Sequence, residues 1–236
     1  MQPAPQHVES TFSRSWELLK NNWSIVIPGL VVGLIVGVVD YLISPYSSNT
    51  YGVASSGTAI LLSLVNLVGF IATQCYVTGM AGAAWERGST DLSDGTRAFE
   101  RDAGRVFVAL IGLVVALVIA AILAFPTLGI SVLLYFYFFI YTFPSAIIGE
   151  RPGIAALGES FRIASRRVAP TLIITIMYVV IIFVGYWIAA VLNFIPFIGP
   201  IVSAIIIQLV FAYVTLVVVG EYLALRDSLG TPPATG

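Results

Sequence analysis

Charge is what this chain has least of: 10% of its 236 residues are charged and 58% are hydrophobic, where a soluble domain carries roughly a quarter charged. That is too little to cover the surface of a water-soluble fold of this size. Histidine occurs once, at His7, and cysteine once, at Cys75. The first absence excludes a histidine-based metal site and histidine acid–base chemistry, and the second excludes an intramolecular disulfide. Cys75 also has no basic partner to activate it, so nucleophilic catalysis has no candidate. There is no phosphate-cradling GxxxxGK[ST] loop and no dinucleotide GxGxxG. Formal net charge is −1, which gives no general attraction to nucleic acid. The chain is expected to be no enzyme and to need no cofactor or metal.

Long apolar runs fill the space. No charged side chain lies between Val106 and Gly149, nor between Val168 and Gly220. One helix needs about 20 apolar residues to cross a bilayer, so each run holds two spans. The breaks fall at FPTLG (125–129) and NFIPFIGP (193–200), where proline and glycine stop a helix. A first span is expected from about Ile25 to Ile43 and serves as an uncleaved signal anchor, since residues 1–22 are polar and no signal peptide is evident. A second runs from Ala59 to Ala84, after the polar turn 44–57. The expected fold is all-α, a single domain of six transmembrane helices over residues 1–226, with a disordered tail at 227–236.

Eleven lysines and arginines all fall on one side of this arrangement. They lie at the N-terminus, in residues 85–105 and 150–167, and at Arg226, while the three opposite turns have none. By the positive-inside rule both termini are cytoplasmic.

An internal repeat is also readable. SWELLKNNW (15–23), AFERDAGRV (98–106) and SFRIASRRV (160–168) each place an aromatic after a small residue and seven positions before the residue that opens a span. Trp16, Phe99 and Phe161 correspond, as do Asn22, Arg105 and Arg167 just before the opener. Apolar stripes around Trp16 and Trp23, and around Phe161, describe amphipathic helices in the membrane interface. The middle copy is weaker, with Gly95 and Gly104 lowering its helix propensity. The even spans end at AAWER, IIGER and VVGEY, which aligns Glu86, Glu150 and Glu221. Each unit is then an interfacial helix, a span out, a span back and a glutamate: three hairpins over 8–86, 94–150 and 154–221. Interface preferences alone can also generate such similarity.

The stretch FSRSWELLKNNWSIVIPGLVVGLIVGVV, the GER-type ends, ALGESFRIASRR and FIPFIGPIV together resemble the six-span membrane domain attached to some bacterial glycerophosphodiester phosphodiesterases, and its stand-alone relatives. The likeness covers residues 8 to 226 and rests on loose patterns of aromatic, small and basic residues. The catalytic domain has no counterpart, so its activity is not carried over. The resemblance implies a multi-pass protein of a bacterial or archaeal cytoplasmic membrane.

Candidate sites are few. A glutamate at a helix C-terminus faces the negative end of the dipole, so Glu86, Glu150 and Glu221 are expected to pair with Arg105 and Arg167 as a rim. The competing reading is solvated interfacial charge, where a pair contributes about 0–1 kcal/mol. Trp16, Trp23, Phe99 and Phe161 are expected as interfacial anchors. Asp40 reads as an interfacial acid, Asn66, Gln74, Asn193 and Gln208 as interhelical hydrogen-bonders, and GMAGAA (79–84) as a close helix contact. No ionisable group is expected inside the bundle. Function is expected to be that of a non-enzymatic accessory, scaffold or lipid-contacting membrane component, with lipids as partners, no nucleic acid and a protein partner open. The alternative is a small permease or substrate-binding component for a mostly hydrophobic ligand.

Overall fold

The structure, a computed structural model, describes residues 4–47, 56–196 and 198–228. The expected tail beyond 228, most of the 44–57 turn and the side chain of Asp40 lie outside the described residues. Among the described residues every regular element is helical: α1 (Ala4–Asn21), a short 3-10 turn (Trp23–Val26), α2 (Ile27–Ser47), α3 (Ser56–Arg87), α4 (Leu92–Ala124), α5 (Ile130–Phe139), α6 (Thr142–Ile147), α7 (Gly153–Arg166), α8 (Val168–Leu192) and α9 (Ile198–Ser228). Helix α9 carries Asp227 and Ser228, two residues that the sequence reading had given to the tail.

Five segments are long and apolar enough to cross a membrane: Ala59–Arg87, Leu92–Ala124, Ile130–Ile147, Val168–Leu192 and Ile198–Ser228. The pair Val8–Asn21 and Trp23–Val39 passes as a sixth, bent by 89°. Their outward faces are studded with exposed Leu34, Ile122, Phe183 and Trp187, far more apolar surface than a soluble monomer leaves in water.

The breaks have identifiable backbone causes. Between α4 and α5, Leu128 and Gly129 both take positive φ, at 51° and 84°. Asn22 leaves the helical region at φ −134°, ψ 58°. Arg167, its counterpart in the repeat alignment, does so at φ −123°, ψ 61°. Two of the three aligned positions thus turn the chain the same way. The third does not: Arg105 sits inside the unbroken α4. The separate interfacial helix expected for the middle unit is therefore corrected to the first three turns of a 33-residue helix. Gly104 does not stop it, because a full capping box starts it at Asp91, with Asp94 reciprocating.

The span of α5 and α6 is irregular at residues 140–141. Pro144 has no N–H to donate to the carbonyl of Ile140 four residues back. Ser160 of α7 enters this break. Its hydroxyl accepts from the Tyr141 N–H at 3.1 Å and donates to the Phe138 carbonyl at 2.7 Å. Such insertion of a side chain into the helical ladder is a recognised cause of kinks.

Helices next to each other in the chain pack together: α2 on α3, α4 on α5, α8 on α9. Each entry segment also packs on an even span preceding it around a ring: α1 on α9, the start of α4 on α3, α7 on α5 and α6. The aromatic contacts follow suit. Trp16 meets Tyr213 edge-on at 5.9 Å, Phe99 lies against Tyr76 at 5.8 Å, and Phe161 stacks on Phe138 at 4.7 Å. Close backbone approach makes room for this, since a Cβ on Gly79 would fall on that of Ala98 and a Cβ on Gly220 on the Trp85 ring.

Ser160→Ala should leave the Tyr141 N–H and the Phe138 carbonyl unpaired in a buried place. The expected cost is about 1–3 kcal/mol, read from detergent-titrated unfolding of the purified protein. A stability equal to that of the native chain would show that the break needs no side-chain support.

Candidate functional site

The expected rim is populated, with different pairings. Glu86 is exposed and makes no ion pair among the described residues. Glu150 is half-buried and takes Arg101 at 2.6 Å. Glu221 is fully buried, and the Thr11 hydroxyl donates to its Oε2 at 3.2 Å. Arg105 pairs at 2.6 Å with Asp102, one turn back on its own helix. Arg167 donates to the Ser228 hydroxyl at 3.1 Å. Neither arginine reaches an exit glutamate. The reason is local: Asp102 lies three residues from Arg105 on a continuous helix, where side chains meet without chain bending. The anchors divide. Trp16, Trp23 and Phe161 are about half exposed, at 48%, 59% and 49%, while Phe99 is partly covered by Tyr76.

What sequence reasoning missed is a set of buried acids at the arginine-bearing end. This corrects the expectation of a bundle free of ionisable groups. Asp102 is fully buried and receives Arg101 at 2.9 Å as well as Arg105. Arg101 extends from Asp102 to Glu150 and to the Ile147 carbonyl, tying α4 to the end of α6. Glu159 of α7, 5% exposed, takes Arg151 at 2.8 Å, the Ser145 hydroxyl at 2.9 Å and the Tyr222 hydroxyl at 3.3 Å. Asp94 takes Arg87 at 2.6 Å and Arg97 at 2.8 Å. A signal existed: Asp94, Ala98, Asp102 and Val106 recur every four residues, which places two acids on the face that buries Ala98 and Val106. Asp91 stays outside this layer. The Ser93 hydroxyl, followed by the Asp94 and Ser93 amides, holds its carboxyl below the usual range.

Asn22 joins two connections. Its amide donates to the Leu18 carbonyl at 2.8 Å and the Gly88 carbonyl at 3.2 Å, and its oxygen accepts from the Thr90 N–H at 2.9 Å. Arg14 lies over the Trp85 ring at 4.6 Å, and the indole donates to the Leu216 carbonyl at 2.7 Å. These contacts bind α1, α3 and α9 at the same end.

Within the bundle lie two apolar cavities. One, of about 450 Å³, sits between α2, α3, α8 and α9 and includes Asn66 and Gln208. The other, of about 310 Å³, sits among α3, α4, α5, α8 and α9. Phe70 and Phe211 line both, so they form a shared wall. Every side chain around the inner chamber is uncharged. Gln74 and Thr78 line it, at 6% and 1% exposure. Neither side chain makes a hydrogen bond among the described residues. Gln74 was expected to bond between helices; it does not. Asn66 donates along its own helix to the Leu62 carbonyl at 2.8 Å. Cys75 is buried and free, and burial pushes it toward an inert core residue.

Among the described residues, no group of three or more His, Cys, Asp or Glu side chains is placed to hold a metal ion. Comparison with protein-family models, with curated proteins and with solved structures finds no match to the chain.

Removing both arginines from the Asp102 carboxylate, as Arg101→Ala with Arg105→Ala, leaves a fully buried charge without its cations. The pair of changes should cost about 3–5 kcal/mol, and either single change much less, because the other arginine remains. Glu86→Ala should leave stability unchanged. Unfolding curves for the four variants check this, and additive small losses would remove Asp102 as the centre of the layer.

Proposed function

We propose that the chain is a six-span integral membrane protein of three hairpins, with both termini in the cytoplasm, that acts through contact with lipid. The carrying observation is the division of its surface. Exposed leucine, isoleucine, valine and phenylalanine cover the long helices, while the arginines gather at one end with Asp94, Asp102, Glu150 and Glu159. Interfacial seating of α1 is supported by its 89° bend from α2 and by half-exposed Trp16 and Trp23. The repeat is supported by the shared backbone break at Asn22 and Arg167 and by the three aromatic contacts around the ring. The sequence likeness to the phosphodiesterase-linked membrane domain supports a bacterial or archaeal cytoplasmic membrane as its place, and the scarcity of catalytic and convergent polar groups in the sequence supports a non-enzymatic accessory or scaffold role.

A second reading has its own observation. The inner chamber, lined by no charged side chain and walled mainly by aromatic and aliphatic side chains, suits a component that holds a hydrophobic ligand. Pockets that hold small molecules are of this apolar kind, with few polar groups to fix orientation.

Topology is tested by cysteine labelling, for which buried Cys75 gives little background. Leu128→Cys, in the 93%-exposed turn between α4 and α5, should react with an impermeant thiol reagent on intact cells. Ser165→Cys, exposed on α7, should react only after lysis. The reverse pattern sinks the orientation, and reaction of both from outside sinks the six-span arrangement. Fluorescence of Trp16 and Trp23 should be quenched by lipid-borne groups at headgroup depth, and a water-like emission would count against interfacial seating.

A further inference from the structure

We propose that the inner chamber binds a neutral amphiphile, a hydrocarbon body carrying one uncharged hydrogen-bonding oxygen, whose oxygen is held by Gln74 and Thr78. This rests on the ligand-holding reading above and names the chemistry of the ligand.

The case starts from α3. Gln74 and Thr78 are four residues apart, one above the other on a single face. Both are more than nine-tenths buried, both line the chamber, and neither side chain has a hydrogen-bond partner among the described residues. Buried polar side chains in native proteins are paired in the large majority of cases. Two adjacent exceptions on the wall of one cavity mark where a missing partner belongs. Gln74 lies 13 residues before Arg87, about 20 Å along the helix from the charged end.

The rest of the wall defines the partner. Leu110, Leu113, Val114 and Leu117 of α4 face Phe136, Phe139 and Phe143, with Val214 and Val218 of α9 behind them. Such walls stay dry when no ligand fills them. A carboxylate or ammonium head would find no counter-ion here, and its desolvation would go uncompensated. An alkane would fill the volume and leave Gln74 and Thr78 unpaired. A hydroxyl fits both: it accepts from the Gln74 amide and donates to the Thr78 oxygen, each of which serves as donor and acceptor. A ketone or ester carbonyl accepts from both. Volume agrees, since about 310 Å³ sits at the lower end of small-molecule pockets. Val114 and Leu117 on the chamber wall are 50% and 40% exposed on the side of the bundle, which makes the bilayer the source of the ligand.

The experiment uses the full chain in phosphatidylcholine nanodiscs and a hexadecanol carrying a mid-chain diazirine, with peptide mapping after irradiation. Labelling should saturate and fall on chamber-lining residues of α4 and α5. Unlabelled hexadecanol should displace it, with hexadecane and palmitate weaker by about tenfold or more. Gln74→Leu should weaken the alcohol about three- to tenfold while hexadecane is unaffected. Val114→Trp, which enters from a half-exposed position on the chamber wall, should abolish saturable labelling and does not disturb the α3 pair. Labelling confined to the outer belt, displacement by palmitate as strong as by the alcohol, or unchanged affinity in a folded Gln74→Leu overturns the proposal. If Gln74→Leu does not fold, persistence of saturable labelling in Val114→Trp overturns it. The membrane topology is read separately by the cysteine labelling, so its failure and this one are distinguishable.

Discussion

A carboxylate removed from water has to carry its cation with it, and this constraint organises one whole end of the molecule. Asp102 and Glu159 are buried where helices converge. Each is matched by an arginine whose shaft reaches in from a more exposed position, Arg101 and Arg105 for the first and Arg151 for the second. The half-exposed guanidinium keeps much of its hydration while neutralising the buried acid, so the pair avoids the full desolvation cost of two ions. Because Arg101 also reaches Glu150 and Arg151 sits just past α6, the same pairs fasten the second even span to the entry segments of α4 and α7. Stability and connectivity are the same interaction here.

That fastening closes a ring. Asn22 holds the end of α1 to the 88–90 connection, Trp85 binds α9 through the Leu216 carbonyl, and Thr11 reaches Glu221. Tyr222 joins α9 to Glu159 of α7. Lipid-facing helices gain little from hydrophobic burial against one another, because hydrocarbon tails are as apolar as leucine. The specific contacts therefore sit at the arginine-bearing end. Along the middle of the helices, close approach comes from small residues instead, as at Gly69 against Val32 and Gly185 against Val210.

How much of this was legible in the sequence follows from which features are periodic. Span positions and the breaks at 125–129 and 193–200 were readable, since run length and the positions of proline and glycine depend on neighbours in the chain alone. The alignment of Asn22 with Arg167 carried real backbone information, as both leave the helical region in the same way. Arg105, aligned with those two positions, does not bend the chain. Whether the chain bends there depends on the Asp91 cap and on packing against α3, neither of which the aligned position contains. The rim pairs were misassigned for a similar reason. Reading Glu150 against Arg167 assumed that residues at one depth meet, whereas Arg101, on a different helix face, is the one that reaches it. Glu159 lies off the apolar stripe that holds Phe161, and packing of α7 against α4, α5 and α6 is what buries it.

The inner chamber and the charged layer then stand in contrast, and the contrast argues for their different roles. Asp94, Asp102 and Glu159 at the arginine end each have their partners, down to the Ser145 and Tyr222 hydroxyls around Glu159. A polar network in a low-dielectric place stabilises only when it is fully satisfied. Gln74 and Thr78 sit in a still less polar setting and have none. Thr175 in α8, and Thr215 on the same chamber wall, satisfy themselves by bonding to the carbonyl four residues back. Thr78 has the same option on α3 and does not take it, so its hydroxyl stays free on the chamber wall. A chain that gives the buried carboxylates Asp94, Asp102 and Glu159 their partners, and leaves the adjacent Gln74 and Thr78 unpaired beside a cavity, has the arrangement of a site awaiting a partner from outside the chain.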